Sequence, residues 1–100
     1  MNDKSIISDL NKVFDNRVRL GIMSILMVND SFGFNAFKET LDVTDGNLAS
    51  HLKALEEKGL LRVNKQFIGR KPNTAYQITD EGIILFKKHL KALEQILKAQ

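Results

Sequence analysis

The apolar residues change period twice between Thr44 and Ile83, and this switch restricts the fold more than any other feature of the chain. Leu48, Leu52 and Leu55 fall at i, i+4 and i+7, the stripe of a helix that buries one face. Thr44 stands where an N-cap belongs, and Asp45 follows in the electropositive first turn. Gly59 ends the helix as a left-handed cap, and Leu60 can fold back over its last turn. From there the period is two. Leu61, Val63, Lys65 and Phe67 alternate, "IGRKPN" reads as a turn-forming loop, and "TAYQIT" returns with Tyr76 and Ile78 on one face. Thr79 then caps a last helix with Asp80 and Glu81 in its first turn. Its residues Ile83, Phe86, Leu90, Leu93 and Leu97 repeat as a heptad seam about two heptads long.

Upstream, Ile6, Ile7, Leu10, Val13 and Phe14 have helical spacing, which predicts a helix over "SIISDLNKVF". A second helix is expected over "NRVRLGIMSILMVN", with Val18, Ile22, Ile25 and Leu26 on one face. Gly21 inside it weakens the helix by about 1 kcal/mol relative to Ala, which points to close packing there. "NDSFGF" reads as a turn with room for a short strand from Gly33 to Asn35. Asn35 is a good cap for a short helix, "AFKETL", with Phe37 and Leu41 inward, and "DVT" makes a tight turn. A short helix, a tight turn, a capped helix and a hairpin are the order of a winged helix-turn-helix. The expected fold is mainly α with a β-hairpin wing. It has about five helices and a two- or three-stranded antiparallel sheet, in a single domain over residues 1–100.

Charge narrows the partner. Six bases lie between residues 53 and 71 (Lys53, Lys58, Arg62, Lys65, Arg70 and Lys71) against only Glu56 and Glu57. That one segment carries more positive charge than the whole chain, whose net charge is +3, as a surface that meets a polyanion would. The apolar share of 43% suffices for one core and gives no sign of disorder. The absence of cysteine excludes a disulfide framework and any thiolate metal site, and fits a reducing cytoplasm. "MNDKSIISDL" carries acids and no apolar core region, so it does not read as a signal peptide. "IMSILMV" is far short of the roughly 20 residues a membrane span needs. No membrane partner is expected.

In a helix-turn-helix the second helix enters the major groove, its N-terminal residues nearest the base edges. A groove about 12 Å wide admits only a slim face, and here the outward residues are Gly46, Asn47 and Ser50, with His51 toward one edge. Asn can pair bidentately with adenine, and Ser can donate or accept. Gly46 lets the helix start approach a phosphate. Each has a plainer role beside this one: Asn47 in the Thr44 cap, His51 partly buried in packing, Gly46 against the preceding helix, Lys53 and Lys58 in solvent. Arg70 and Lys71, at a loop with no acid, are the firmest candidates for phosphate contact. The candidate DNA-binding set is Thr44, Gly46, Asn47, Ser50, His51, Lys53, Lys65, Arg70 and Lys71. The recognition helix spans about 44–58 and the wing about 60–79.

"SHLKALEEKGLL" followed by "GRKPNTAYQITDEG" resembles the MarR- and ArsR-like winged-helix transcriptional regulators, most of all their small single-domain type. The parts that carry the resemblance are Ser50-His51-Leu52, Leu55, Glu56 to Leu60, Gly69 to Pro72, and Thr79 before Gly82; "RLGIMSIL" is similar to the apolar second helix of that group. The resemblance implies Asn47, Ser50 and His51 on the recognition helix and Arg70 and Lys71 in the wing. It also implies a homodimer joined by the terminal helices, here Ile7, Leu10, Phe86, Leu90, Leu93 and Leu97. The metal sites of ArsR-like sensors use cysteine and histidine clusters, whereas this chain has only His51 and His89, so no metal and no cofactor is expected. A small-molecule effector between the dimer helices and the wing, as in MarR-like regulators, stays open, with no residues named for it.

Two rival readings are weaker. No enzyme is expected, because neither histidine lies in a catalytic motif, no glycine-rich phosphate loop is present, and the carboxylates sit at helix starts or on solvated faces. The alternative is a winged helix that binds protein rather than DNA; such a module lacks wing cations and exposes apolar residues on the outer helix face, the reverse of this pattern. The expected function is therefore sequence-specific binding of double-stranded DNA as a dimer. A repressor acting by promoter occlusion needs no further domain.

Overall fold

The computed structural model describes residues 5–99. Met1–Lys4 and Gln100, part of the expected 1–100 domain and of the leader reading, lie outside the described residues. The elements are a short 3₁₀ turn at Lys12–Phe14, α1 Arg17–Met27, β1 Phe32–Gly33, α2 Phe34–Leu41, α3 Asp45–Glu57, β2 Leu61–Ile68, β3 Lys71–Ile78 and α4 Asp80–Lys98. Antiparallel pairing gives the sheet order β1-β3-β2. This is a winged helix. Ile22, Met23 and Leu26 of α1, Phe37 of α2 and the Leu48, Leu52 and Leu55 stripe of α3 form the core, with Leu60, Leu61, Tyr76 and Phe86 closing it. Each leucine withdrawn from water in this way stabilises the fold by roughly 1.5–3 kcal/mol.

The helix signals around the turn hold. Thr44 Oγ1 accepts the Asn47 N–H at 3.2 Å. At the other end of α3, the Leu60 N–H donates to the Leu55 carbonyl at 3.0 Å and the Gly59 N–H to the Glu56 carbonyl at 2.9 Å. Gly59 has φ 76°, so this end is a Schellman cap with Leu60 buried against the last turn. Thr79 joins it to the next helix. Its N–H donates to the Leu60 carbonyl, its hydroxyl donates to the Gly59 carbonyl at 2.7 Å, and the same oxygen accepts the Gly82 N–H at 3.0 Å.

Three expectations are corrected. Residues 5–14 do not form a regular helix. The Asn11 side chain accepts the Val13 N–H, while the Asn11 N–H donates to Nδ1 of His89 on α4 at 3.0 Å. Those local and tertiary bonds outcompete a helical ladder, so only a 3₁₀ turn forms. Val13 and Phe14 are buried, and Ile6 and Ile7 stay exposed. Secondly, the cap of α2 is Gly33 rather than Asn35, because Phe32 and Gly33 are held extended by pairing with Tyr76 and Ala75. Thirdly, the wing loop is shorter than "IGRKPN". Lys71 and Pro72 belong to β3, and only Gly69 and Arg70 connect the strands. Gly69 has φ 66° and Arg70 a negative φ, the pattern of a two-residue type II′ turn.

The heptad seam of α4 divides. Phe86 is 1% exposed, with its ring edge-on to Phe14 at a centroid distance of 5.1 Å, so it belongs to the chain's own core and is not offered to a partner. Gly82, His89 and Ala92 share that inward face, whereas Leu90, Leu93 and Leu97 are exposed. The radius of gyration is 15.5 Å and the longest extent 60 Å. A compact domain of this length would have about 13 Å.

Two glycines separate rigid from yielding packing. A Cβ on Gly21 would meet only the Leu41 side-chain end, at 2.7 Å, as the sequence anticipates. A Cβ on Gly82 would run into the Leu60 carbonyl and the Ile78 side chain. Gly82→Ala should therefore cost about 1–3 kcal/mol in urea denaturation, since backbone cannot give way. Gly21→Ala should cost clearly less, because Leu41 can turn aside and about 1 kcal/mol of helix propensity is regained.

Candidate nucleic-acid interface

The buried stripe of α3 fixes which side chains face out. With Leu48, Leu52 and Leu55 inward, Gly46, Asn47, Ser50 and Lys53 lie exposed on the opposite side, as expected, and Thr44 is exposed at the cap. The backbone N–H of Asn47 is spent on the cap, whereas its exposed side chain is directed away from the core stripe. The one acid near the helix start is neutralised in place. Lys38 Nζ of α2 lies 2.8 Å from Asp45 Oδ1. Both groups are largely exposed, so the pair adds little stability. Its effect is electrostatic: the first turn of α3 presents no uncompensated negative charge to a polyanion.

His51 stands apart from that face. It is half-buried on the side toward α1, where its Nδ1 accepts the Arg19 Nε–H at 3.0 Å, and Arg19 also donates to the Val13 carbonyl at 3.2 Å. An Nδ1 that accepts from a guanidinium carries no proton, so the ring is neutral with its hydrogen on Nε2. Burial first, and then the Arg19 charge, hold the His51 pKa below its ordinary value of 6.5. His51 thus braces the recognition helix to α1 and to the N-terminal segment. Tyr76, beneath the sheet, has its pKa pushed up by burial and then by Glu56, which keeps the phenol neutral in the core.

The wing cations form a second patch. Lys65 is exposed on β2 opposite Thr74, Arg70 stands in the turn, and Lys71 opens β3 opposite Ile68. From Lys58 to Thr79 the chain has five bases and no acid. The alternation that buries Leu61 and Tyr76 continues past the edge of the core, leaving Phe67 and Ile68 exposed. Sequence reading missed this exposure because alternation gives a strand's faces but not how far the core extends beneath them. It missed Arg19 and Lys38 because both act through contacts between helices.

Among the described residues no group of His, Asp or Glu is placed to hold a metal ion. No helix among them is long and apolar enough to cross a membrane. An open groove of about 650 Å³, lined by Arg17, Val18, Thr40, Leu41, Asp42 and Val43, lies at the helix-turn-helix corner, away from α4 and the wing.

The sequence model of a family described as winged helix DNA-binding domain matches residues 18–97. An uncharacterized protein of Methanocaldococcus jannaschii is 38% identical over 87 residues, which cover 87% of this chain and 95% of that protein. The structure of a transcriptional regulator homologue protein from Pyrococcus horikoshii OT3 is similar with a TM-score of 0.82 at 36% identity, over 89% of this chain and 88% of that one. A regulator assigned to the MarR family from Enterococcus faecalis V583 is similar in fold, with a TM-score of 0.74 at 22% identity over 88% and 78% of the two chains.

The neutral His51 makes stability depend on pH in a defined direction. Its folded pKa is depressed, so the unfolded chain binds the extra proton as pH falls below 6.5. The contribution is complete above that value and is lost as pH falls toward the folded pKa. Thermal melts of wild type and His51→Gln between pH 8 and 5 check this. The wild-type melting temperature should fall more steeply on acidification than that of the variant, in which this titration is absent.

Proposed function

The chain belongs to the family of winged helix DNA-binding domains, and from that premise we propose that it is a dimeric, sequence-specific transcriptional regulator that acts by occupying duplex DNA. The observation that carries the reading is the charge pattern on the fold: a slim polar helix face whose only early acid is paired, followed by a stretch from Lys58 through the hairpin to Thr79 with five bases and no acid. A site of this kind attracts phosphates over its whole length, while Asn47 and Ser50 supply groups able to distinguish bases.

In this reading α3 lies in the major groove. Asn47 and Ser50 read base edges, and Gly46 and the Thr44 cap let the helix start approach a phosphate. Lys53, Lys65 and Lys71 neutralise phosphates and position the protein without reading sequence, and Arg70, at the hairpin tip, reaches a phosphate or the adjacent minor groove. His51 contributes by holding α3 rather than by touching DNA. Repression by promoter occlusion is the simplest output, and the cytoplasm is the compartment the cysteine-free chain fits.

Titration of labelled duplexes by fluorescence anisotropy tests the reading. Asn47→Ala and Ser50→Ala should each weaken the preferred site by about 1–3 kcal/mol and leave random duplex nearly unaffected. Removing Arg70 and Lys71 together should weaken both duplexes. It should lower the salt slope by up to about 3.6 in a dimer, at about 0.9 per phosphate contact. Binding by wild type that ignores salt would contradict the proposal.

The dimer is proposed through Ile7, Leu10, Leu90, Leu93 and Leu97. Support comes from the exposed leucines of α4, the exposed Ile7 and the elongated shape of the single chain. A two-fold interface counts each substitution twice. Leu93→Asp should give folded monomer by light scattering with an unchanged helical circular dichroism spectrum, since Leu93 is outside the chain's own core. A wild-type mass of one chain at micromolar concentration would refute the dimer.

A further inference from the structure

We propose that Phe67 and Ile68 are DNA contacts, gripping the deoxyribose walls of the minor groove on either side of Arg70. The inference rests on the DNA-binding reading and adds apolar contact residues to a wing read so far only through its charges. Phe67 is 73% exposed and Ile68 66%, in the two positions before the turn. Successive strand residues point to opposite faces, so the two flank the hairpin tip on both sides. Phe67 stands opposite Pro72 on one face, and Ile68 opposite Lys71 on the other. Val63, partly buried, is the last residue of the inward face to reach the core; Phe67 lies four residues, or about 13 Å, farther along the strand. Neither side chain has a folding role, and a hairpin tip with bare apolar groups is a liability unless something covers it.

Charge identifies what covers them. From Lys58 to Thr79 the chain carries Lys58, Arg62, Lys65, Arg70 and Lys71 and no acid, so the complementary surface is a polyanion. Size then fixes the mode. Paired strands lie about 4.8 Å apart, and side chains on both faces make the ribbon wider than a minor groove of about 6 Å. Only the turn residue can enter, and that is Arg70. The residues just behind it stop at the rim, where the surface is the C–H edge of deoxyribose, apolar and independent of sequence. Phe67 meets one wall and Ile68 the other. Contacts of this kind bury apolar area without releasing counterions, so they add affinity that salt does not remove.

The test compares wild type, Phe67→Thr/Ile68→Thr and Arg70→Ala/Lys71→Ala as full-length proteins on one selected duplex. Threonine keeps strand propensity at exposed positions, so the first variant should melt within a few degrees of wild type. It should bind about ten-fold more weakly or worse, with the slope of log affinity against log salt unchanged. Loss of the cations should instead lower the slope. Hydroxyl-radical footprinting at saturation reads the sugars directly: wild type should protect deoxyriboses flanking the helix site, and the threonine variant should lose that protection. Affinity within two-fold of wild type, or an unchanged flanking footprint, would overturn the inference. So would a drop from dimer to monomer mass in the threonine variant, which would make these residues a protein contact. Failure of wild type to bind any duplex would overturn the DNA-binding reading itself, an outcome distinct from a variant that matches a binding wild type.

Discussion

The rest of the structure depends on the corner where α3 ends. Gly59 turns left-handed, Leu60 plugs the last turn, and the Leu60 carbonyl accepts the Thr79 N–H from the far side of the hairpin. Thr79 in turn starts α4, whose Gly82 presses against that same carbonyl. One tetrapeptide-sized junction thereby sets three directions at once: the recognition helix, the wing and the long terminal helix. None could be re-aimed alone, because the backbone atoms at the junction are each other's hydrogen-bond partners. The proposed DNA interface, which would have to match a major groove and its neighbouring minor groove together, needs this kind of fixed angle.

Around that corner, electrostatics and packing divide the work. The N-terminal segment has no helical ladder of its own and is held by His89 and Arg19 from other elements. The Asn11 N–H reaches His89 on α4, and the Val13 carbonyl reaches His51 through Arg19. Both rings accept at Nδ1, which requires them neutral there. The same segment carries Ile7 and Leu10, so the proposed dimer surface and the recognition helix share a mechanical link through Arg19. On the proposed DNA-facing side, negative charge is removed: Asp45 is paired with Lys38, and no acid occurs from Lys58 to Thr79.

What was legible in the sequence follows the range of the interaction responsible. Thr44, the leucine stripe, Gly59 and Thr79 act within a few residues, and each does in the structure what its local chemistry dictates. The outward set on α3 was legible for the same reason, since it is the complement of a buried stripe. Residues 5–14 misled because Asn11 is decided by His89, 78 positions away. Asn35 lost the cap of α2 to strand pairing with β3. Phe86 fitted a heptad, yet one strand of spacing cannot tell a seam facing a partner from a face packed on Phe14. His51 sits one residue from Ser50 and was grouped with it, although α1 supplies the Arg19 that draws it inward. In each of these four cases the deciding atom came from another element.

The central claim is that this fold reads duplex DNA as a symmetric pair. Selection of bound duplexes from a random pool by the full-length protein, followed by sequencing, tests it most directly. The expected result is enrichment of a palindrome whose half-sites are spaced by whole helical turns of about 10–10.5 base pairs, as two recognition helices on one face of the duplex require. A pool that shows no enriched sequence after repeated rounds, or only a single undivided half-site, would contradict it.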